Sequence, residues 1–439
     1  MADLLELSSR IIDGNVVDVP VNRVTNELSE LADDLAIVES FSHCVAWRTD
    51  EGLACFDASG AHTGPAVVAA LRSWRTDPVA ALVYTHGHAD HVGGSAAFAA
   101  DATTAGRPLP RVIGHENVAA RLDRYELTND WNVLINARQF GGVRAELGLG
   151  VGGDRRFLPA GTLRPDETFR TSRDLTFGGR PLELHHARGE TDDHLWAFVP
   201  ERKWLFSGDF VIWNFPNAGN PQKVQRYPIE WAAALRTMIA AGPELLVPAH
   251  GLPISGAARI ARVLDDIATA LERLTADTLA QMNAGATLDE IIHSVKVDPE
   301  LLGRPYLRPF YDEPEFVIHN VWRQFGGWWD GMASRLKPSP DAHLASVLAD
   351  LAGGPLALLR RAEQAVEAGD LRLACHLVDL AGLAAPDDPA VHGGRAAVYD
   401  ARRKAEPSLM AKGIFRGAAR ESAAVRDRAV TGSDPTGST

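Results

Sequence analysis

Cysteine is nearly absent from this chain. Its three residues, Cys44, Cys55 and Cys375, are too few and too scattered for a disulfide framework or a four-thiolate zinc cluster. Cys44 and Cys55 lie in apolar, strand-like runs, where a thiol behaves as a small hydrophobe. Long apolar stretches are missing too, and none approaches the roughly 18 residues expected of a membrane span. The opening Met1-Ala2-Asp3-Leu4-Leu5-Glu6-Leu7 lacks the basic and apolar segments of a secretory leader. Positive charge is in deficit, with 44 Lys and Arg against 57 Asp and Glu and a net charge of −13. That balance excludes a general nucleic-acid or anionic-membrane binder, because phosphate binding needs a positive field. It leaves room for an anionic small molecule, since a metal pair can dominate the field inside a pocket. Together these absences predict a soluble, cytoplasmic protein with reduced thiols.

The 439 residues, 46% of them hydrophobic, can bury large cores without covalent staples, and the length predicts two domains. Short β-like runs alternate with glycine-rich loops in the first half. Strands are expected at 36–38, 44–47, 53–57, 182–186, 195–199, 204–206 and 245–247, and a helix at 65–74. The continuous apolar run Val79-Ala80-Ala81-Leu82-Val83-Tyr84 suits a strand buried on both faces. Such alternation predicts a layered α/β architecture. Beyond residue 255 the pattern turns helical, over 257–283, 288–295 and nearly everything after 344. Gly353-Gly354 and Gly369-Asp370, with Ala362, Ala365 and Ala374, resemble a helix-turn-helix repeat of the tetratricopeptide type; one or two such units are too few to stand alone. The expected division is a catalytic domain over 1–255, a helical domain over 256–420 and a disordered tail over 421–439.

His86, His88, Asp90 and His91 crowd into one loop directly after the buried run. Imidazole and carboxylate are good donors for zinc-class ions, and the i, i+2 spacing lets two rings converge on one ion. Asp90 and His91, further round the loop, can face a second. Gly87, Gly93 and Gly94 free the backbone for so sharp a course.

Thr85-His86-Gly87-His88-Ala89-Asp90-His91 resembles the metal motif of the metallo-β-lactamase superfamily, which implies a four-layer αββα fold. The family's remaining motifs have counterparts in the same order. Gly189-Glu190-Thr191 matches the loop of the third ligand, Leu205-Phe206-Ser207-Gly208-Asp209 the bridging acid, and Leu246-Val247-Pro248-Ala249-His250-Gly251 the last histidine. Asp57 matches a structural acid at the end of an early strand. Histidine is the commonest family residue at position 190; glutamate there, with a second acid 19 residues later at Asp209, resembles the alkylsulfatase branch. The residues alone leave another option, in which Glu190 is a surface carboxylate beside Thr191, Asp192 and Asp193 and His194 binds metal. Val317-Ile318-His319-Asn320-Val321-Trp322 and Gly326-Gly327-Trp328-Trp329-Asp330-Gly331 are similar to the signature of the alkylsulfatase dimerisation domain. The resemblance runs from about residue 35 to about residue 420. The lipid-transfer-like domain of the long-chain enzymes has no counterpart in it, which argues against a long-chain detergent as substrate.

This resemblance implies a homodimer held by an all-α domain and two zinc ions per chain, or another divalent pair. His86, His88 and Glu190 would hold the first ion, and Asp90, His91 and His250 the second, with Asp209 between. A metal-bound hydroxide would be the nucleophile, oriented by Asp90 and Asp209. In the alkylsulfatases an asparagine and an arginine beyond the bridging acid hold the sulfate. Asn217 stands at about the asparagine position; the family's Arg-Gly-Ala is replaced near Pro221-Gln222-Lys223. Lys223 and Arg226 are then either anion contacts or a solvated basic patch. His194 is either a proton donor to the leaving group or an orienting group beside a ligand. The expected reaction is hydrolysis of a small-molecule sulfate ester. The alternatives are a carboxylic ester, lactone, amide or phosphoester on the same site, or an iron-dependent oxidoreductase, although the diiron type usually has glutamate where His88 stands.

Overall fold

The computed structural model describes residues 3–16, 18–141 and 156–431. The chain forms two compact units. One holds the described residues of 1–135 and 144–328, the other those of 136–143 and 329–439.

The first unit is built on two sheets. Strands β1 (Glu27–Ala32), β2 (Leu35–Glu39), β3 (Cys44–Thr49), β4 (Gly52–Phe56), β5 (Val79–Val83), β6 (Arg111–His115) and β7 (Glu167–Phe169) lie side by side in chain order. The first four pair antiparallel, and β4 through β7 pair parallel. The second sheet runs β13-β12-β11-β10-β9-β8, from β8 (Ser172–Phe177), β9 (Arg180–His186), β10 (Leu195–Val199), β11 (Trp204–Gly208), β12 (Leu245–Pro248) and β13 (Ile254–Ser255). Here β11 and β12 are parallel and the other pairs antiparallel.

Alternation along the strands sorts the side chains into layers. Leu35, Ile37, Val45, Trp47, Ala54, Phe56, Ala81 and Val83 face the second sheet, in one core with Leu184, Leu195, Ala197, Phe206 and Val247. Phe56 and Phe206 meet across it at 4.4 Å. The intervening residues Val38, Cys44, Ala46, Leu53, Cys55 and Leu82 form a second core with Val67, Leu71, Phe98, Val118 and Leu122, supplied by the helices Gly64–Trp74, Ser95–Thr104 and Asn117–Leu127. Helices Pro228–Ala240 and Ala257–Asn283 cover the second sheet. The result is the expected four-layer αββα fold.

The strands expected at 36–38, 44–47, 53–57, 79–84, 182–186, 195–199, 204–206 and 245–247, and the helix at 257–283, stand within a few residues of those positions. The division between units falls elsewhere, after Trp328 rather than after 255. Ala257–Asn283 buries Ile260, Val263, Leu264, Ile267, Leu271 and Leu274 on the outer side of the second sheet, in a cluster continuous with the inter-sheet core, and Pro314–Gly326 packs Val317, Ile318 and Val321 onto the same cluster. An amphipathic pattern announces a buried stripe but not the surface that covers it.

The second unit is helical, with Asp341–Ala352, Pro355–Glu367, Leu371–Ala384, Pro389–Ala405 and Leu409–Thr431 as its main elements. Gly353, Gly354 and Gly369 take positive φ at the turns, where a side chain would be strained. Asp370 and Asp388 cap the helices that follow them. Leu409–Thr431 corrects the expected tail: it continues through 421–431 because Ser422 is buried against His392 and Arg395. Residues 432–439 lie outside those described. Among the described residues no helix is long and apolar enough to cross a membrane.

Candidate metal centre

Strand ends deliver every donor. Asp57 follows β4 and His86 follows β5, a parallel pair of the first sheet; Asp209 follows β11 and His250 follows β12, the parallel pair of the second. Glu190 sits in the loop joining β9 to β10. All seven expected ligands meet there. His86, His88, Glu190 and Asp209 form one group able to hold an ion, and Asp90, His91 and His250 another. His86 Nε2 lies 2.8 Å from His88 Nδ1, and His88 Nδ1 lies 3.5 Å from Glu190 Oε1. Asp90 Oδ2 is 3.5 Å from both His91 Nε2 and His250 Nε2. Asp209 spans the two groups: Oδ2 is 3.8 Å from His86 Nε2 and 3.4 Å from His91 Nε2, and Oδ1 is 3.5 Å from His250 Nε2.

Burial sharpens the electrostatics. His86, His91, Glu190 and Asp209 line a buried floor, whereas Asp90, His88 and His250 are partly exposed at the mouth. Burial alone would lower His91, but Asp209, Asp57 and Asp90 outweigh it and hold the ring well above the usual histidine range. Burial opposes ionisation of Asp209, yet His91 and His250 keep it well below the usual carboxylate range. Burial pushes Glu190 up to about 8 against the pull of Arg226. His91 Nε2, Glu190 Oε2 and Asp209 Oδ1 are buried without a hydrogen-bond partner. Orphaned polar atoms of this kind are costly, and their falling within the two ligand groups fits bound cations.

Other side chains fix the donors. Asp57, itself at positive φ, accepts from Thr85 N (2.8 Å) and Thr85 Oγ1 (2.7 Å), and His91 Nδ1 lies 2.7 Å from its Oδ2. A proton held on Nδ1 leaves the His91 Nε2 lone pair facing the cluster. The buried Arg121 grips both oxygens of buried Asp193 at 3.0 Å, and Asp193 Oδ2 accepts the Gly87 N–H at 2.9 Å. A Cβ on Gly87 would lie 2.9 Å from both partners, so the histidine loop requires glycine there.

The substrate-side expectations fare differently. His194 is wholly buried, and its Nε2 accepts the Asp209 backbone N–H at 3.1 Å. Its ring stacks on Phe210 at 4.1 Å, and burial brings its pKa down to about 3. With Nε2 taken up by the Asp209 N–H and the ring held uncharged at neutral pH, it orients Asp209. Arg226 is buried beneath Glu190 rather than open to a substrate anion: its Nη1 donates to Glu190 O (3.1 Å) and Asn217 O (2.9 Å) and is ion-paired with Glu190 Oε1 at 2.6 Å. Asn217 Nδ2 donates to the same Glu190 Oε1 at 2.5 Å. A buried guanidinium can satisfy several acceptors at once, so both residues brace the ligand. Lys223, half-buried over Phe157, stays electrostatically coupled to Asp90 and Glu190; burial, reinforced by Arg226, brings it down to about 8. Tyr311 feels the same two carboxylates. The sequence reading overlooked Tyr311, Arg121 and Asp193; no local pattern announces partners so remote in the chain.

Residues 39–250 match the model of the metallo-beta-lactamase superfamily, and residues 287–424 that of alkyl sulfatase dimerisation. Nearly half of the chain thus matches the metallo-beta-lactamase superfamily. Within it the relatives mark the alkylsulfatase-like branch. A linear primary-alkylsulfatase of Pseudomonas sp. is 29% identical over 71% of this chain and 60% of its own length. An alkyl/aryl-sulfatase of Saccharomyces cerevisiae is 23% identical over 74% of this chain and 51% of its own. The chain thus spans about half to three fifths of the length of these curated relatives. The solved stereoselective inverting sec-alkylsulfatase Pisa1 from Pseudomonas sp. shares the fold, with a TM-score of 0.79 and 21% identity over 90% of this chain and 65% of that one.

Proposed function

We propose that this chain is a two-zinc hydrolase of small-molecule sulfate esters. The observation that carries the reading is the Asp209 carboxylate, which reaches both ligand groups, with Oδ2 near His86 and His91 and Oδ1 near His250. His86, His88 and Glu190 would hold one ion and Asp90, His91 and His250 the other, with Asp209 within reach of both; mixed imidazole and carboxylate donors suit zinc. A divalent pair so held supplies Lewis acidity and lowers the pKa of water from 15.7 toward about 7. The chain's own residues do the rest. Asp57 keeps the proton of His91 on Nδ1, His194 holds the Asp209 backbone, and Asn217 with Arg226 aim Glu190. Lys223, at the mouth near Asp90 and Glu190, is protonated at neutral pH and offers a cation to an anionic ester. The names of the relatives supply the sulfate.

One observation favours a second reading, hydrolysis of a carboxylic ester, lactone, amide or phosphoester. Arg226 is committed to Glu190 and two carbonyls, which weakens the case for a dedicated sulfate clamp. A panel of chromogenic sulfate, acetate, lactone and phosphate esters, assayed with and without chelator, separates them: the proposal expects metal-dependent turnover of the sulfate and fails if only the others turn over.

A homodimer is part of the same reading. On the helix Asp341–Ala352, Leu344, Val347 and Leu351 are exposed, the last by 81%, on one apolar stripe of the kind a partner covers. The free thiols of Cys44, Cys55 and Cys375 support a reducing compartment, in keeping with a cytoplasmic protein.

A further inference from the structure

Part of the region matching the dimerisation model lies in the unit that carries the metal centre. Residues 312–320 fall within that match, yet they precede the division after Trp328. Two of their side chains are buried polar groups aimed at one loop. Asp312 accepts the N–H of Gly219 (2.6 Å) and of Asn220 (3.1 Å) on Oδ2, and that of Glu313 (2.7 Å) on Oδ1. Asn320 Nδ2 donates to two carbonyls, Ala218 O and Arg226 O, each at 2.8 Å. Asp312 is wholly buried and Asn320 is 2% exposed. The backbone of the helix Pro314–Gly326 also presses on the loop, and a Cβ on Gly219 would lie 2.4 Å from Phe316 C.

The gripped positions are informative. Ala218 adjoins Asn217, and Arg226 is itself a brace of Glu190. Asn320 therefore ties the residue next to Asn217, whose side chain donates to Glu190 Oε1, to Arg226, whose guanidinium is ion-paired with the same oxygen.

We infer that Asp312 and Asn320 are positioning residues of the metal centre, a two-point clamp on the 217–226 loop that sets the aim of Glu190. This rests on the two-metal reading above. The clamp acts on the Glu190 ion selectively, because Asp90, His91 and His250 are held by other elements. Groups that orient a metal ligand change metal affinity or activity by about 10–100-fold.

The test uses Asn320→Asp, which keeps the shape and replaces the donating amide by an oxygen facing two carbonyls. Full-length wild type and variant are stripped of metal, checked by circular dichroism and sedimentation, and titrated with zinc against a chromogenic chelator. The expected result is an at least tenfold loss at one of two zinc sites, the other nearly unchanged, with the fold and the oligomeric state of wild type. Unchanged affinities in a folded variant would overturn the clamp, as would a parallel loss at both sites, which signals general loosening. If Asn320→Asp does not fold, Asp312→Asn removes charge from the other arm and is read the same way. Wild type that binds two zinc ions but hydrolyses no sulfate ester would defeat the functional reading and leave the clamp standing.

Discussion

Replacing Arg226 by methionine preserves the apolar stem and deletes the guanidinium. Its Nη1 alone serves Glu190 Oε1, Glu190 O and Asn217 O. Two buried backbone carbonyls would lose a donor, at about 1–3 kcal/mol each, so metal-free Arg226→Met should lose about 2–6 kcal/mol. Glu190 escapes part of the charge penalty by staying protonated, since burial already pushes it up to about 8 with the arginine present. A zinc ion must then displace that proton and meet a carboxylate no longer aimed. Zinc affinity at neutral pH should therefore fall about 10–100-fold, and recover as pH rises. Because tenfold in affinity is about 1.4 kcal/mol, the metal-loaded protein should lose more stability than the metal-free one. Urea unfolding with and without zinc, together with chelator competition at several pH values, measures all of this. A variant with unchanged stability and zinc affinity but a raised KM would refute the bracing role and restore Arg226 as an anion contact.

Asp57→Asn removes the charge that holds the proton on His91 Nδ1; chelator competition should show zinc binding about 10–100-fold weaker, and an unchanged affinity would remove Asp57 from the account. Burial brings His43 down to about 4 in the folded protein, against about 6.5 in an unfolded chain. Its neutral form thus contributes stability that is fully present above pH 6.5 and lost as pH falls through 4. Urea midpoints of metal-free wild type should decline over that window more steeply than those of His43→Asn. Leu351→Asp places a charge in the exposed stripe of the helical unit and should shift a dimer to monomers in sedimentation without altering zinc content.

The metal centre was legible because its chemistry is local. His86, His88, Asp90 and His91 declare themselves by spacing, and Glu190, Asp209 and His250 by apolar runs that end in a donor. Roles set by distant partners were not. Arg226 reads as a surface cation in the sequence, and only folding puts Glu190, 36 residues earlier, above it. Asp193 carries no signal in the sequence, and only folding pairs it with Arg121, 72 residues away. Strands β1 and β8 gave little signal because their positions are largely exposed or half-buried, which blurs the alternation that betrays a strand. The boundary after Trp328 was hidden for a related reason: Ala257–Asn283 and Pro314–Gly326 have the periodicity of any bundle helix, yet Ala257–Asn283 packs on the second sheet and Pro314–Gly326 packs on Ala257–Asn283.

The most direct test is metal stoichiometry measured alongside sulfate-ester turnover in wild type and Asp209→Ala. Two zinc ions per chain, turnover that vanishes on stripping and returns with zinc, and an inactive Asp209→Ala holding fewer than two ions are expected. Full turnover by metal-free wild type, or an Asp209→Ala protein that keeps both ions and its activity, would contradict the assignment.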